Sequence, residues 1–190
     1  LHDVVEDCEI SLKTVKKEFG TNVAKLVDGM TKLLQLDDKL KDQSQAEYFQ
    51  KMALATAEDV RVVIIKLADR LHNLQTIEHL PRDKQIKKAK ETLELYAPLA
   101  HQIGMHKMAT DLEDHSFKTI HPFRHNLIEQ ALKKNELNRK TLISKVKKTL
   151  KAKFKKNKLE AGTKGRRKRI YSIYQKTVSY THLRAHETTS

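Results

Sequence analysis

The chain has 190 residues, of which 38% are hydrophobic, and carries a formal net charge of +14. That length suffices to bury a core, which argues against disorder throughout. The longest apolar run, residues 60–71, is broken by Arg61, Lys66, Asp69 and Arg70, far short of the roughly 20 apolar residues of a membrane span. A single cysteine, Cys8, leaves no intrachain disulfide and no paired-thiol zinc site. The expectation is a soluble protein of a reducing compartment, the cytoplasm, with no membrane partner.

The charge is concentrated. Residues 1–132 hold 19 Lys+Arg against 21 Asp+Glu, a balance of −2, whereas residues 133–176 hold 18 against 2, a balance of +16. Such a block suits phosphate-bearing partners or a nucleic-acid arm. A solvated lysine-rich helix face would give the same pattern.

Only 5 Gly and 3 Pro occur, and apolar residues recur at three- and four-residue spacing, so the reading is an all-α body. Helices over 12–19 and 22–35 are expected on either side of Gly20, whose freedom at positive φ suits a C-cap. Residues 37–45 are polar and read as a loop. From Ala46 to Leu80 the pattern is nearly continuous, with Ala57-Glu58-Asp59 as the expected break and Pro81 as the stop. A helix over 82–97 should kink or end at Pro98, which lacks an N–H. Helices near 105–120, 123–134 and 138–156 follow. At Leu159 the character changes: Leu-Glu-Ala-Gly-Thr-Lys-Gly predicts a strand or turn before a new helix from about Lys168.

Two stretches carry residues with chemistry. The opening, Leu1-His2-Asp3-Val4-Val5-Glu6-Asp7, puts four ionisable groups at i, i+1, i+4 and i+5, which share one side if the segment is helical. Adjacent His and Asp can ligate a divalent cation, and an acidic pair one turn on can orient or deprotonate a water. Acids near a helix N-terminus are also expected from the helix dipole alone. The second stretch places Asp69, Asn73 and Thr76 at i, i+4 and i+7, on one face. A carboxylate beside the apolar run 62–67 calls for a cation. A metal ion or an arginine, Arg70 or one elsewhere, would each answer that need.

A His-Asp pair followed by a helical Asp resembles the HD phosphohydrolase superfamily. Four phrases narrow the likeness to Rel/SpoT proteins: Leu-His-Asp-Val-Val-Glu-Asp at 1–7, Val-Asp-Gly-Met-Thr-Lys-Leu at 27–33, Lys-Leu-Ala-Asp-Arg-Leu-His-Asn at 66–73 and Tyr-Ala-Pro-Leu-Ala-His at 96–101. The likeness runs to about residue 177, through Gly165-Arg166-Arg167-Lys168-Arg169-Ile170-Tyr171-Ser172-Ile173-Tyr174-Gln175-Lys176, which resembles the start of that family's synthetase domain.

The resemblance implies an HD-type helical bundle over 1–134 with N-terminal helices missing and a basic linking helix over 135–158. It further implies the truncated beginning of an α/β synthetase domain over 159–177, and a tail over 178–190 similar to translated adapter sequence. It implies a guanosine-3′,5′-bis(diphosphate) 3′-pyrophosphohydrolase that uses manganese and acts on guanosine tetra- and pentaphosphate. A parent that also synthesises them would use Mg2+ for that part. By position, His2, Asp3 and Asp69 would be metal ligands, Glu6 and Asp7 the catalytic acids, and Asn73, Thr76 and Arg70 the substrate contacts. Arg166, Lys168 and Lys176 would meet nucleotide phosphates in an intact synthetase. The family's remaining ligand, a histidine on an earlier helix, has no counterpart here, so these 190 residues alone are expected to hydrolyse little. Cys8, Tyr48, Gln50 and Arg167 depart from the family's usual residues. Contact of the parent with the ribosome or RNA is a further expectation, and the competing one is a non-catalytic nucleotide-sensing or RNA-binding module built on 133–158.

Overall fold

The computed structural model describes residues 4, 5, 8, 10–40, 59–165 and 168–187, the side chains of 34–40, 139 and 179–187 excepted. All regular structure among the described residues is helical, as the low glycine and proline content and the helical spacing require. The chain divides into two compact units, Leu1–Ser116 and Phe117–Ser190.

In the first unit, helix α1 spans Leu12–Leu40 with a break at Gly20, whose φ of 85° and ψ of 169° lie outside the range open to other residues. The expected pair of helices is therefore present, joined directly rather than through a loop. The loop expected over 37–45 is not present over 37–40, where α1 continues to Leu40, and 41–45 lie outside the described residues. Helix α2, Val60–Gln75, starts where Asp59 caps it: the Asp59 side chain accepts from the Arg61 backbone N–H at 3.0 Å. A 3₁₀ turn, Ile77–His79, follows, and Pro81 precedes helix α3, Arg82–Glu91.

Pro98 does not end the next helix. A π turn over Thr92–Tyr96 leads into helix α4, Ala97–Gln102, with Pro98 in its first turn. The Ala97 N–H donates to the Thr92 carbonyl, five residues back. Widening the turn lets the helix absorb a residue that has no N–H and would crowd the carbonyl four positions earlier. A tight connection through Gly104, at φ 79°, brings in helix α5, His106–Ile120.

The Val-Asp-Gly-Met-Thr-Lys-Leu phrase is explained by packing. Val27, Met30 and Leu33 are buried, at i, i+3 and i+6 on one face of α1, while Asp28 and Lys32 pair at 2.7 Å on the outside. Gly29 lies against α2: a methyl there would stand 2.8 Å from Val62 Cγ2. Opposite, α2 buries Val62, Val63, Leu67 and Leu74. Tyr96, Ala97, Leu99 and Ala100 bury the Tyr-Ala-Pro-Leu-Ala stretch, and Ala109 and Leu112 do the same for α5. Burial of a Val, Leu, Phe or Met side chain stabilises by roughly 1.5–3 kcal/mol, so these phrases define the core.

In the second unit, helices α6, Pro122–Lys134, α7, Glu136–Lys156, and α8, Ile170–Glu187, are present. Phe117 is held among aromatic rings, Tyr174 stacking at 4.5 Å and Tyr171 lying at 5.6 Å, and Arg124 Nη1 donates to the Tyr174 hydroxyl at 2.6 Å. Neither the strand nor the turn considered for 159–165 forms, and residues 159–165, 168 and 169 carry no regular structure before α8. Two glycines, with only Leu159 and Ala161 apolar, leave no face for a sheet to bury. Helix α7 is exposed along most of its length, leucines at 137 and 142 and Val146 included.

Candidate hydrolase site on helix α2

The face of α2 carrying Asp69, Asn73 and Thr76 is formed as the spacing predicts. Asn73 Nδ2 donates to Asp69 Oδ2 at 3.2 Å, and the Thr76 hydroxyl donates to the His72 carbonyl at 3.1 Å, where it closes the helix. Asp69 is half-buried while Asn73 and Thr76 are exposed. The carboxylate thus lies at the border of the buried face, and its desolvation cost is smaller than the neighbouring apolar run suggests. Because α2 is anchored below by Val62, Val63, Leu67 and Leu74, the three polar groups sit on a rigid element.

Of the arginines considered as partners of Asp69, Arg70 is engaged elsewhere. Arg70, next in sequence, points away, about a quarter-turn round the helix, and binds Glu91 of α3 through Nη2 at 2.7 Å. Its guanidinium also lies over the Tyr96 ring, 4.1 Å from the centroid. Burial pulls the guanidinium down, but the Tyr96 and Glu91 charges and hydrogen bonds outweigh it and hold Arg70 above its ordinary value. Arg70, expected as a substrate contact, is committed to joining α2, α3 and the π turn. Asp69 keeps Asn73 as its hydrogen-bond partner among the described residues.

The donor set fits a divalent cation as far as it is described. A half-buried carboxylate, oriented by a neutral amide and not neutralised by Arg70, is a group that a hard or borderline cation can complete. Among the described residues no three His, Cys, Asp or Glu side chains converge on one point. His2, Asp3, Glu6 and Asp7, the other expected members, lie outside the described residues. Between them, Val4 and Val5 are half-buried, and the Cys8 N–H donates to the Val4 carbonyl at 3.2 Å, the spacing of one α-helical turn.

One residue escaped the sequence reading. Lys66, three positions before Asp69 and on the same side of α2, is 6% exposed. The i, i+3, i+7 relation of Lys66, Asp69 and Asn73 was available in the sequence, but a lysine's burial is decided by its neighbours. Of the residues expected to serve a synthetase, Lys168 and Lys176 are exposed, and Arg166 lies outside the described residues.

Residues 1–106 match the family model described as HD domain. The chain belongs to the HD domain family. The match takes in the opening His-Asp pair and Asp69, and continues to the first residue of α5. Among curated proteins this HD domain chain is similar to the guanosine-3′,5′-bis(diphosphate) 3′-pyrophosphohydrolase of Haemophilus influenzae, 43% identical over 176 residues, 93% of this chain and 26% of that protein. It is 41% identical over 178 residues to the bifunctional (p)ppGpp synthase/hydrolase SpoT of Escherichia coli, covering 94% of this chain and 25% of that one. It is 43% identical over 180 residues to the GTP pyrophosphokinase of Streptomyces coelicolor, covering 94% and 21%. The chain spans about a quarter of the length of these relatives. The likeness read from the four phrases is the one these comparisons return.

Proposed function

We propose that this chain carries the hydrolase centre of a metal-dependent guanosine-3′,5′-bis(diphosphate) 3′-pyrophosphohydrolase, which converts guanosine tetra- or pentaphosphate to GDP or GTP and pyrophosphate. The observation that carries the reading is the ordered face of α2, Asp69 held by Asn73 and free of Arg70, within an HD domain. The printed activities of the relatives support the substrate class.

His2, Asp3 and Asp69 would hold the cation, which we take to be Mn2+. When bound, such an ion neutralises phosphate oxygens and makes a water more acidic. The chain's own residues do the rest. Asn73 fixes the Asp69 carboxylate, so its orientation does not change as the site charges. Glu6 and Asp7 take the proton of the attacking water and orient it toward the 3′ phosphate. Asn73 and Thr76 line the nucleotide side of the face. Arg70 serves this site by holding α2 against α3.

The parent is proposed to act in the cytoplasm, and no helix among the described residues is long and apolar enough to cross a membrane. A synthetase activity of the parent, dependent on Mg2+ with Arg166, Lys168 and Lys176 at the nucleotide, is supported by the pyrophosphokinase name of a relative.

The deciding experiment is manganese-dependent pyrophosphate release from guanosine tetraphosphate by the chain extended to the length of its relatives, beside Asp69→Ala. Release that disappears in the variant is expected. A folded, manganese-loaded protein that leaves the alarmone intact would overturn the reading.

The exposed lysines of α7 favour a second role, contact with RNA. Binding through many lysines would fall steeply with salt, because each phosphate contact releases a counterion. A salt-independent affinity would dismiss it.

A further inference from the structure

The Tyr-Ala-Pro-Leu-Ala-His phrase ends on a residue that neither the core nor the hydrolase reading uses. His101 lies in the last turn of α4, and the connection Ile103-Gly104-Met105 folds back tightly: the Gly104 N–H donates to the His101 carbonyl at 3.1 Å and the Met105 N–H to the Ala100 carbonyl at 2.8 Å. Gly104 takes φ 79°, open to glycine at no steric cost. The turn sets His106, the first residue of α5, beside His101. Their Nδ1 atoms stand 3.4 Å apart, with ring centroids at 5.7 Å.

On its other side His101 meets Glu113, about two turns further along α5, with Nε2 to Oε1 at 3.2 Å. A carboxylate can only accept here, so the Nε2 of His101 carries the proton. A neutral His101 then presents a bare lone pair on Nδ1, 3.4 Å from the Nδ1 of His106. The gap between those nitrogens is long for a hydrogen bond. It equals the separation of two nitrogen ligands on a tetrahedral ion, about 3.3–3.4 Å for Zn–N bonds near 2.05 Å.

We propose that His101 and His106 form a transition-metal site for Zn2+ or Cu2+, with Glu113 as the outer carboxylate that fixes the His101 tautomer and raises its basicity. The arrangement is the carboxylate–histidine–metal relay by which proteins orient imidazole ligands. It uses none of the hydrolase-site residues. The protein supplies two ligands and water the others, in keeping with the absence of a three-residue cluster among the described residues. His101 is 40% exposed and Glu113 17%, so the ion has access while the carboxylate is sheltered. Two imidazoles favour zinc or copper over manganese, which separates this site in kind from the carboxylate-rich one at Asp69.

The test is isothermal titration with zinc chloride of the protein carrying Asp69→Ala, and of the same protein carrying His106→Ala as well. One zinc equivalent should be present in the first and missing in the second. Glu113→Gln should weaken that equivalent by roughly ten- to a hundredfold. Copper electron paramagnetic resonance on the Asp69→Ala protein should show coupling to two nitrogens, reduced to one by His106→Ala. His106 is exposed, and an unchanged urea midpoint confirms the fold of the variant. Equal zinc stoichiometry with and without His106, or unaltered affinity in Glu113→Gln, would overturn the proposal.

Discussion

Replacing Arg70 by alanine separates its structural role from the substrate contact first expected of it. The side chain is 11% exposed and its partner Glu91 28%, at an Nη2 to Oε1 distance of 2.7 Å. Removing one member of a buried pair costs about 3–5 kcal/mol. Glu91 can regain some water on the variant, which places the loss near the lower bound, while the lost contact with the Tyr96 ring adds about 0.5–2 kcal/mol in the other direction. A loss of about 3–4 kcal/mol is expected, or roughly 6–16 °C in Tm for a chain of this size. Arg70→Lys should recover only part, because an ammonium cannot both pair with Glu91 and lie flat on Tyr96.

The assay is urea unfolding of wild type, Arg70→Ala, Glu91→Gln and the double variant. Contacting partners should show a coupling energy above about 0.5 kcal/mol. The Arg70 contribution is present below the ordinary arginine range and fades only as pH rises through the higher folded value, so the difference should be flat across neutral pH. An unchanged urea midpoint, with KM for guanosine tetraphosphate raised and kcat kept, would refute the structural assignment and return Arg70 to the nucleotide.

Gly29→Ala should gain about 1 kcal/mol from helix propensity but lose about 1–3 to the clash with Val62, a net destabilisation of up to about 2 kcal/mol. In a Val62→Ala background the same change should become stabilising, and urea midpoints that fail to reverse would dismiss the close contact. Gly20→Ala meets no atom within 4 Å, yet the backbone at φ 85°, ψ 169° should make it cost about 1–3 kcal/mol, read by thermal unfolding. The Asp59 carboxyl is held below its usual value by hydrogen bonds from the Arg61 side chain and backbone. Its cap on α2 is therefore fully present above the usual carboxylate range and is lost as pH falls through the lower folded value. Asp59→Asn should preserve the helical circular dichroism of α2 and Asp59→Ala should reduce it; identical spectra would argue against the cap.

Much of this protein follows from local rules. The helices near 60–75, 106–120, 122–134 and 136–156 come from apolar spacing, the start of α2 from Asp59, and the kink in α1 from the one residue that tolerates its backbone angles. The grouping of Asp69, Asn73 and Thr76 is likewise a property of 3.6 residues per turn.

Other features depend on which element lies opposite. Pro98 alone predicts a kink or a stop, but the buried surfaces of Tyr96, Leu99 and Ala100 favour keeping the helix, and a π turn reconciles the two. Arg70 reads as a free cation beside Asp69 until α3 brings Glu91 to it. The Val-Asp-Gly-Met phrase reads as a motif until Val62 shows that Gly29 is there for want of space. His101 and His106, five residues apart, become neighbours only because Gly104 turns the chain, and Glu113 reaches His101 from α5. Periodicity and capping act within a few residues and are therefore written in the sequence. Ion pairing, as of Arg70 with Glu91, and close packing, as of Gly29 with Val62, join residues tens of positions apart, and only the packing of the helices decides them.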